Sequence, residues 1–467
     1  MTDAMQQFTD MMKALDAGFP SAAPDKLVGG PALQIEDLSN VMEVVTVENK
    51  QLSLQKKISV TDCKSTLAQF DRQLSIGQFG GGAQMEGNLG PEDTSDYVRI
   101  TVPMCYYSKT GRVTIASTMV ATVDGKKSDE RSAADRALTI ACDIEFDSYR
   151  GLADFSNGGV FDGNPLTIPA LANIHGVDLQ VRQSDFQVNS RDLMFAEYGS
   201  DDTVVIQIGG VLTQDKVEDM SVRSALNFGD AKTLRVDPVS LSAYNKLTFG
   251  KERIILAGSP QDATGGDLRR QWVSGGTVSV EASHFLRGKA QPARPRAHTN
   301  APLAPTFDTT TVPPAGSGSA LSATTYTYYV TAGNETSESR ASASATAAPT
   351  AGQNVTLTIT PNGSGGTARF FNVYRGATAA TARFIGRVAN SGAATTAFVD
   401  SGNKLPGFVT GFLVDESTME YRQLSPYSRL KLAQADLSMP EAHFDFRCLA
   451  IKRPRYNVIA DNIRGQF

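Results

Sequence analysis

Four cysteines and four histidines are spread thinly through 467 residues. Cys63, Cys105, Cys142 and Cys448 are widely scattered and form no CxxC pair, which argues against the common zinc frameworks. Free thiols in a reducing compartment are the expectation, with disulfides between neighbouring copies of an assembled particle as the alternative. His175, His284, His298 and His443 belong to no recognisable ligand or catalytic motif, so none is read as a ligand or a catalytic base. Phosphate-loop, HExxH, GxSxG and dinucleotide signatures are all absent. Gly80-Gly81-Gly82 and Gly275-Gly276 read as flexible tips. The expectation is therefore no catalytic residue, no cofactor, no metal, and a protein that is not an enzyme.

A strong charge of one sign is missing too. The net charge of -5 argues against a surface built to grip nucleic acid, because phosphate binding needs a concentrated basic field. No apolar run approaches the roughly 18 residues that span a bilayer. The first residues, MTDAMQQFTDMMKALDAGFPSAAPDK, lack a basic stretch followed by an apolar one, so no secretory signal is expected and the cytosol is the expected compartment.

What remains is a globular composition, 41% hydrophobic and 20% charged, long enough for several domains. Residues 1 to about 30 read as a weak amphipathic turn and an extended arm. ALQIEDLSNVMEVVTV then places apolar residues at 35, 38, 41/42 and 45, a helical spacing with acids near its start. From about 60 to 118 the β-rich segments YVRITVPMCYY and RVTIASTMV, with glycines between the ends, read as a long two-stranded excursion. Such an arm buries little on its own chain. The clearest helix spans 128–150, with Ser128 as expected N-cap, Asp129 and Glu130 in its first turn and Gly151 as its stop. Beyond 152 the pattern turns loop- and strand-rich through TVVIQIGGVLT. A helix over 214–228, the strand AKTLRV and a helix opened by Asp237-Pro238 follow, which suggests a compact α+β unit.

At QPARPRAHTNAPLAPTF (291–307) prolines mark a linker, and from there to about 407 charges nearly vanish. TYTYYVTA, VTLTITP, ARFFNVYRG, ARFIGRV and TTAFVD alternate between Gly/Ser/Asn turns, which predicts a β-sandwich of immunoglobulin or fibronectin type III kind without a disulfide. After Phe408 the earlier composition resumes in a tail too short to fold alone. It should return to the first core, which makes the sandwich an insertion.

In this order the elements resemble the Hong Kong 97-type major capsid fold of tailed bacteriophages. The resemblance is carried by ALQIEDLSNVMEVVT, by the loop segment from Met85-Glu86-Gly87-Asn88-Leu89 to Asp96-Tyr97-Val98-Arg99, and by LSPYSRLKLAQAD, across roughly 350 residues. It implies an α+β fold with an N-terminal arm and first helix at 1–54, an extended loop at 55–118, and a peripheral domain at 119–170 holding the spine helix 128–150. An axial domain at 171–290, the inserted all-β immunoglobulin-like sandwich at 291–407 and a return to the capsid core at 408–467 complete it. The insertion and the glycine-rich loop tip depart from the family pattern, which leaves loop contacts open.

The function so implied is structural. Hexamers and pentamers would assemble into an icosahedral phage head around double-stranded DNA, in the host bacterial cytoplasm, with the insert displayed outside for stabilisation or weak glycan binding. Partners would be the chain itself, then portal, scaffold or cement proteins, with packaged DNA touched only weakly and non-specifically and no membrane. Phe70, Ile76, Phe79, Met85 and Tyr97 are the candidates for inter-subunit contact, local hairpin packing being the alternative for each. Basic residues in RGKAQPARPRAH and IKRPRY are candidates for pairing with acids of a neighbour's loop. A surface adhesin or tail-fibre-type binding protein is the rival reading that a β-sandwich raises.

Overall fold

The computed structural model describes residues 51–75, 83–90, 92, 94–119, 127–151, 174–186, 204–248, 270–286, 300–312, 319–334, 338–434 and 436–464. The expected arm and first helix up to residue 50, the candidates Ile76 and Phe79, and the basic run at 287–298 lie outside the described residues.

In chain order the first elements are β1 (Ser59–Asp62), β2 (Leu67–Ser75), β3 (Asp96–Pro103), β4 (Cys105–Thr114), α1 (Ile115–Met119), α2 (Ser128–Tyr149) and α3 (Val177–Phe186). Next come β5 (Val205–Gly210), α4 (Gln214–Leu226), β6 (Thr233–Val236), α5 (Pro238–Thr248), β7 (Arg270–Val273) and β8 (Gly276–Ala282). A run of strands follows: β9 (Thr306–Val312), β10 (Tyr326–Gly333), β11 (Ala345–Ala347), β12 (Asn354–Thr360), β13 (Phe370–Arg375), β14 (Arg383–Ala389) and β15 (Thr396–Asp400). The chain closes with β16 (Val409–Val414), β17 (Met419–Lys431), β18 (Ser438–Ile451) and β19 (Val458–Ile463). The result is mixed α/β and rich in strands.

Helix α2 forms where the 128–150 pattern predicts it. Gly151 at its end has φ +46°, and a Cβ there would stand 2.0 Å from the Ile174 carbonyl oxygen, so glycine is required by both conformation and space. Its start differs from expectation. Lys127, not Ser128, is the N-cap residue, and the Ser128 hydroxyl donates to the Ser117 carbonyl at 2.9 Å. Elsewhere the local chemistry acts as read. The Asp237 carboxylate accepts from the Val239 and Ser240 amides (2.9 Å each), capping the proline-led α5.

The last segments complete the first sheets rather than forming their own. A six-stranded sheet runs β5-β19-β16-β6-β8-β7, so β16 and β19 are central although the chain reaches them last. Alternate residues of these strands enter two different cores. Phe412, Val414 and Ile459 join Leu54, Ile140, Ile144 and Tyr149 on the α2 side, while Leu413, Val458 and Ala460 join Val217, Met220 and Leu234 on the α4 side. A second sheet, β1-β17-β18-β4, lies against α2. Arg235, fully buried in β6, ties these parts together by donating to Ser53 (2.8 Å), Tyr149 (2.9 Å) and Glu416 (2.8 Å).

Between β8 and β16 the chain builds two further sheets, β11-β10-β13-β14 and β15-β12-β9. They share one core, with Tyr328, Val330, Phe371 and Val373 from one sheet meeting Val355, Leu357, Ile359 and Phe398 from the other. The five strands read from the sequence are all present. β9 and β11 were not anticipated, and the described part of the proposed linker is docked. Pro302 bridges Gly365, and the Asn300 carbonyl accepts from Asn334 at 2.7 Å.

Two expectations about the 60–118 stretch need correction. Residues Ile115–Met119 are helical rather than strand, because their β-branched residues follow a strand that ends at Thr114. Cys105–Thr114 does not belong to the excursion. It pairs along its length with β18 as the edge of the second sheet. The free-standing hairpin is β2–β3 alone.

Candidate functional site

Strands β2 and β3 pair antiparallel from Leu67↔Pro103 to Ser75↔Asp96, and among the described residues they form a sheet of two strands. Its base is fixed to its own chain. Ala68, Val102 and Met104 pack on Cys448 of β18, with Phe70, Ile100 and Leu424 around them. Arg72 reaches across to β18, donating through Nε to the Lys452 carbonyl and through Nη2 to the Ile451 carbonyl, both at 2.9 Å. Burial lowers the Arg72 pKa to about 10, and its guanidinium lies over the Phe70 ring with 5.6 Å to the centroid. Phe70 therefore packs at home. The β2 face carrying residues 68, 70 and 72 turns toward β18.

Arg99 donates to Asp71 across the ladder (2.8 Å), which holds the Asp71 carboxyl below its ordinary range. Met85 is 82% exposed, Leu89 96% and Tyr97 67%. Tyr97 lies on β3, whereas Met85 and Leu89 lie in the chain between the two strands.

Exposed apolar residues also gather in two further places, among others. Near the far end of β17 and β18 these are Met119, Leu430, Leu432 and Leu437. On and beside α4 and β7 they are Val222, Leu226, Phe228 and Trp272, the single tryptophan. Phe228 has φ +64° in the turn that ends α4. Sequence reasoning did not single these out. Trp272, 85% exposed in a four-residue edge strand, was the available signal.

The groups with chemical potential are built into the frame. A buried cluster joins α3, β19 and the segment entering β16. Asp461 accepts from Arg182 (2.7 Å), Lys404 (2.9 Å) and Thr410 (3.2 Å), and Arg182 also binds Asp178 (2.6 Å). Burial alone would raise the Asp461 pKa, but Lys404 and Arg182 outweigh it and hold the carboxyl well below its usual range. Burial lowers the Lys404 pKa and raises that of Asp178. His443 stacks on Tyr427 and shares a 2.9 Å hydrogen bond with its hydroxyl, while His175 is buried and its pKa is lowered by that burial. All four thiols are free. Burial pushes Cys448 up to about 12 and Cys105 higher still, which makes these two poor thiolates. Among the described residues no group of three metal-ligating side chains converges, and no helix is long and apolar enough to cross a membrane. In the basic run 452–455, Lys452 pairs with Glu420 of its own sheet (2.6 Å).

With this arrangement in view, the chain is similar over nearly its whole length to phage capsid proteins. It is 22% identical over 483 residues to the major capsid proteins of Staphylococcus phage S25-3 and Staphylococcus phage K, covering 99% of this chain and 98% of each relative. Among solved structures it is similar to the capsid of the native GTA particle (11% identity, TM-score 0.48, 96% of this chain and 100% of that one). It is also similar to the capsid of Myoviridae phage XM1 (9% identity, TM-score 0.42, 91% and 96%). No protein-family model matches the chain.

Proposed function

We propose that this chain is a phage major capsid protein of the Hong Kong 97-type fold, whose work is to assemble with copies of itself into a shell. The observation that carries the reading is the β2–β3 hairpin. Its base is clamped by Arg72 and the Ala68–Cys448 contact, while its outer half offers Met85, Leu89 and Tyr97 to solvent. A monomer gains nothing from a rigidly mounted apolar arm, whereas a lattice gains one contact per copy. At about 25 cal/mol per Å² each such contact is modest. A closed shell engages many at once, so the high effective concentration makes the whole stable. Similarity to curated capsid proteins across 99% of the chain supports the same reading.

On this reading α2 is the spine, the six-stranded sheet with α4 and α5 forms the axial domain, and hexamers and pentamers enclose double-stranded DNA. The two sheets between β9 and β15 would be an immunoglobulin-like insert on the outer surface. Their shared apolar core and their position between β8 and β16 support that assignment. The test is negative-stain microscopy of the purified full chain. Capsomers, shells or tubes are expected, and a monodisperse monomer or a trimeric fibre would overturn the proposal.

A further inference from the structure

Along α2 runs an apolar groove of about 470 Å³, lined by Leu52, Ala134, Ala137, Leu138, Ala141 and Tyr427 among others. Its charged rim is already satisfied, since Arg447 is paired with Asp445. The groove offers an occupant apolar surface rather than a charge.

The described chain begins at the lip of this groove. The Leu54 and Gln55 amides donate to the buried carboxylate of Glu145 at 2.8 and 3.0 Å, and the Gln55 side chain donates to the Ala141 carbonyl at 2.6 Å. Three hydrogen bonds therefore fix residues 54 and 55 to α2, and Leu52 already forms part of the groove wall. Whatever precedes Gln51 must leave from this place.

We propose that residues 33–47 of the same chain occupy the groove, laying the apolar positions Ile35, Leu38, Val41, Met42 and Val45 against α2. Three observations select this occupant. The apolar residues recur at the spacing of one helical face, the pattern that packs against a second helix. The length fits, because Ile35 to Val45 is ten steps of 1.5 Å, about 15 Å as a helix, and the lining from Ala134 to Ile144 covers about the same length of α2. The connection also fits. Residues 48–51 span at most about 14 Å, enough for a reversal beside the groove and too little to carry the segment past its own α2 first. The inference stands on the groove and the anchored exit, so it holds or fails independently of shell assembly.

Photo-crosslinking tests it directly. p-Benzoylphenylalanine is placed at Ala134, and separately at Ala137, of the full chain. An equal mixture of light and ¹⁵N-labelled chains is irradiated, and the linked peptides are sequenced by mass spectrometry. The expected result is a link to residues 35–45 of the same isotopic label from at least one site, lost in the Val41→Asp/Val45→Asp variant while its far-UV circular dichroism stays that of the parent. Links to the 67–103 hairpin of a second copy, links between unlike labels, or links confined to residues 51–464 would each overturn the assignment.

Discussion

Replacing Asp461 by Asn probes the way the frame is locked behind the two-sheet segment. The Asp461 carboxylate receives Arg182 at 2.7 Å, Lys404 at 2.9 Å and Thr410 at 3.2 Å, and is 1% exposed. With Asp178 the cluster holds two cations and two anions. Asn keeps the shape but leaves one buried positive charge uncompensated, which costs about 3–5 kcal/mol. At about 1.4 kcal/mol per tenfold, amide exchange in β19 and its neighbour β5 should quicken by roughly two to three orders of magnitude. The same measurement carries a pH test. Because Asp461 is held below its ordinary pKa, its contribution is fully present above the unfolded value of about 3.9 and is lost as pH falls below it. The gap between parent and variant should therefore be constant from pH 7 to 5 and shrink in acid. Adding Lys404→Met restores neutrality and should recover much of the loss. Exchange in β19 within threefold of the parent, or a gap that widens in acid, would refute the reasoning.

Other perturbations separate the remaining parts. Gly151→Ala should lower thermal stability by more than the roughly 1 kcal/mol typical of point changes, since the φ of +46° and the 2.0 Å approach to the Ile174 carbonyl both oppose a Cβ; a Tm equal to the parent's would contradict this. Arg72→Ala removes both bonds from the hairpin to β18, and limited proteolysis should then cut within 67–103 faster while the rest of the chain resists. Phe398→Ala, in the core shared by the two sheets, should cost about 3–5 kcal/mol and speed exchange in β9–β15 only, leaving β16–β19 protected. Replacing residues 306–400 by a short Gly/Ser link retains Lys404 and its bond to Asp461. If the segment is an external display module, particle stability stays unchanged; if it clamps neighbouring capsomers, particles melt earlier.

Much of the frame was legible because its signals are local. Alternation in TYTYYVTA or VTLTITP, the Asp237-Pro238 start and the Gly151 stop each depend on neighbours within a few residues. β9 escaped because TFDTTTV follows a proline run and is polar at five of seven places without alternation, so its pairing with β12 is what makes it a strand. Ile115–Met119 was misread because β-branched residues favour strands only where a partner is available. The polar locks were invisible for a different reason. Arg182 and Asp461 are 279 positions apart, and Arg235 and Ser53 are 182 apart, so nothing local announces either pair. An arginine in the otherwise apolar TLRV was the one clue that a buried partner was waiting. Of the contact candidates, Met85 and Tyr97 are exposed, whereas Phe70 is partly buried beside β18.

Hydroxyl-radical footprinting of Met85 and Tyr97, on dilute dissociated chains and on assembled particles, bears most directly on the claim that sibling copies cover the hairpin. Both residues should be labelled rapidly in the free chain and become at least several-fold protected on assembly, while Tyr421, buried at home, is inert in both states. Equal labelling of Met85 and Tyr97 before and after assembly would contradict the account.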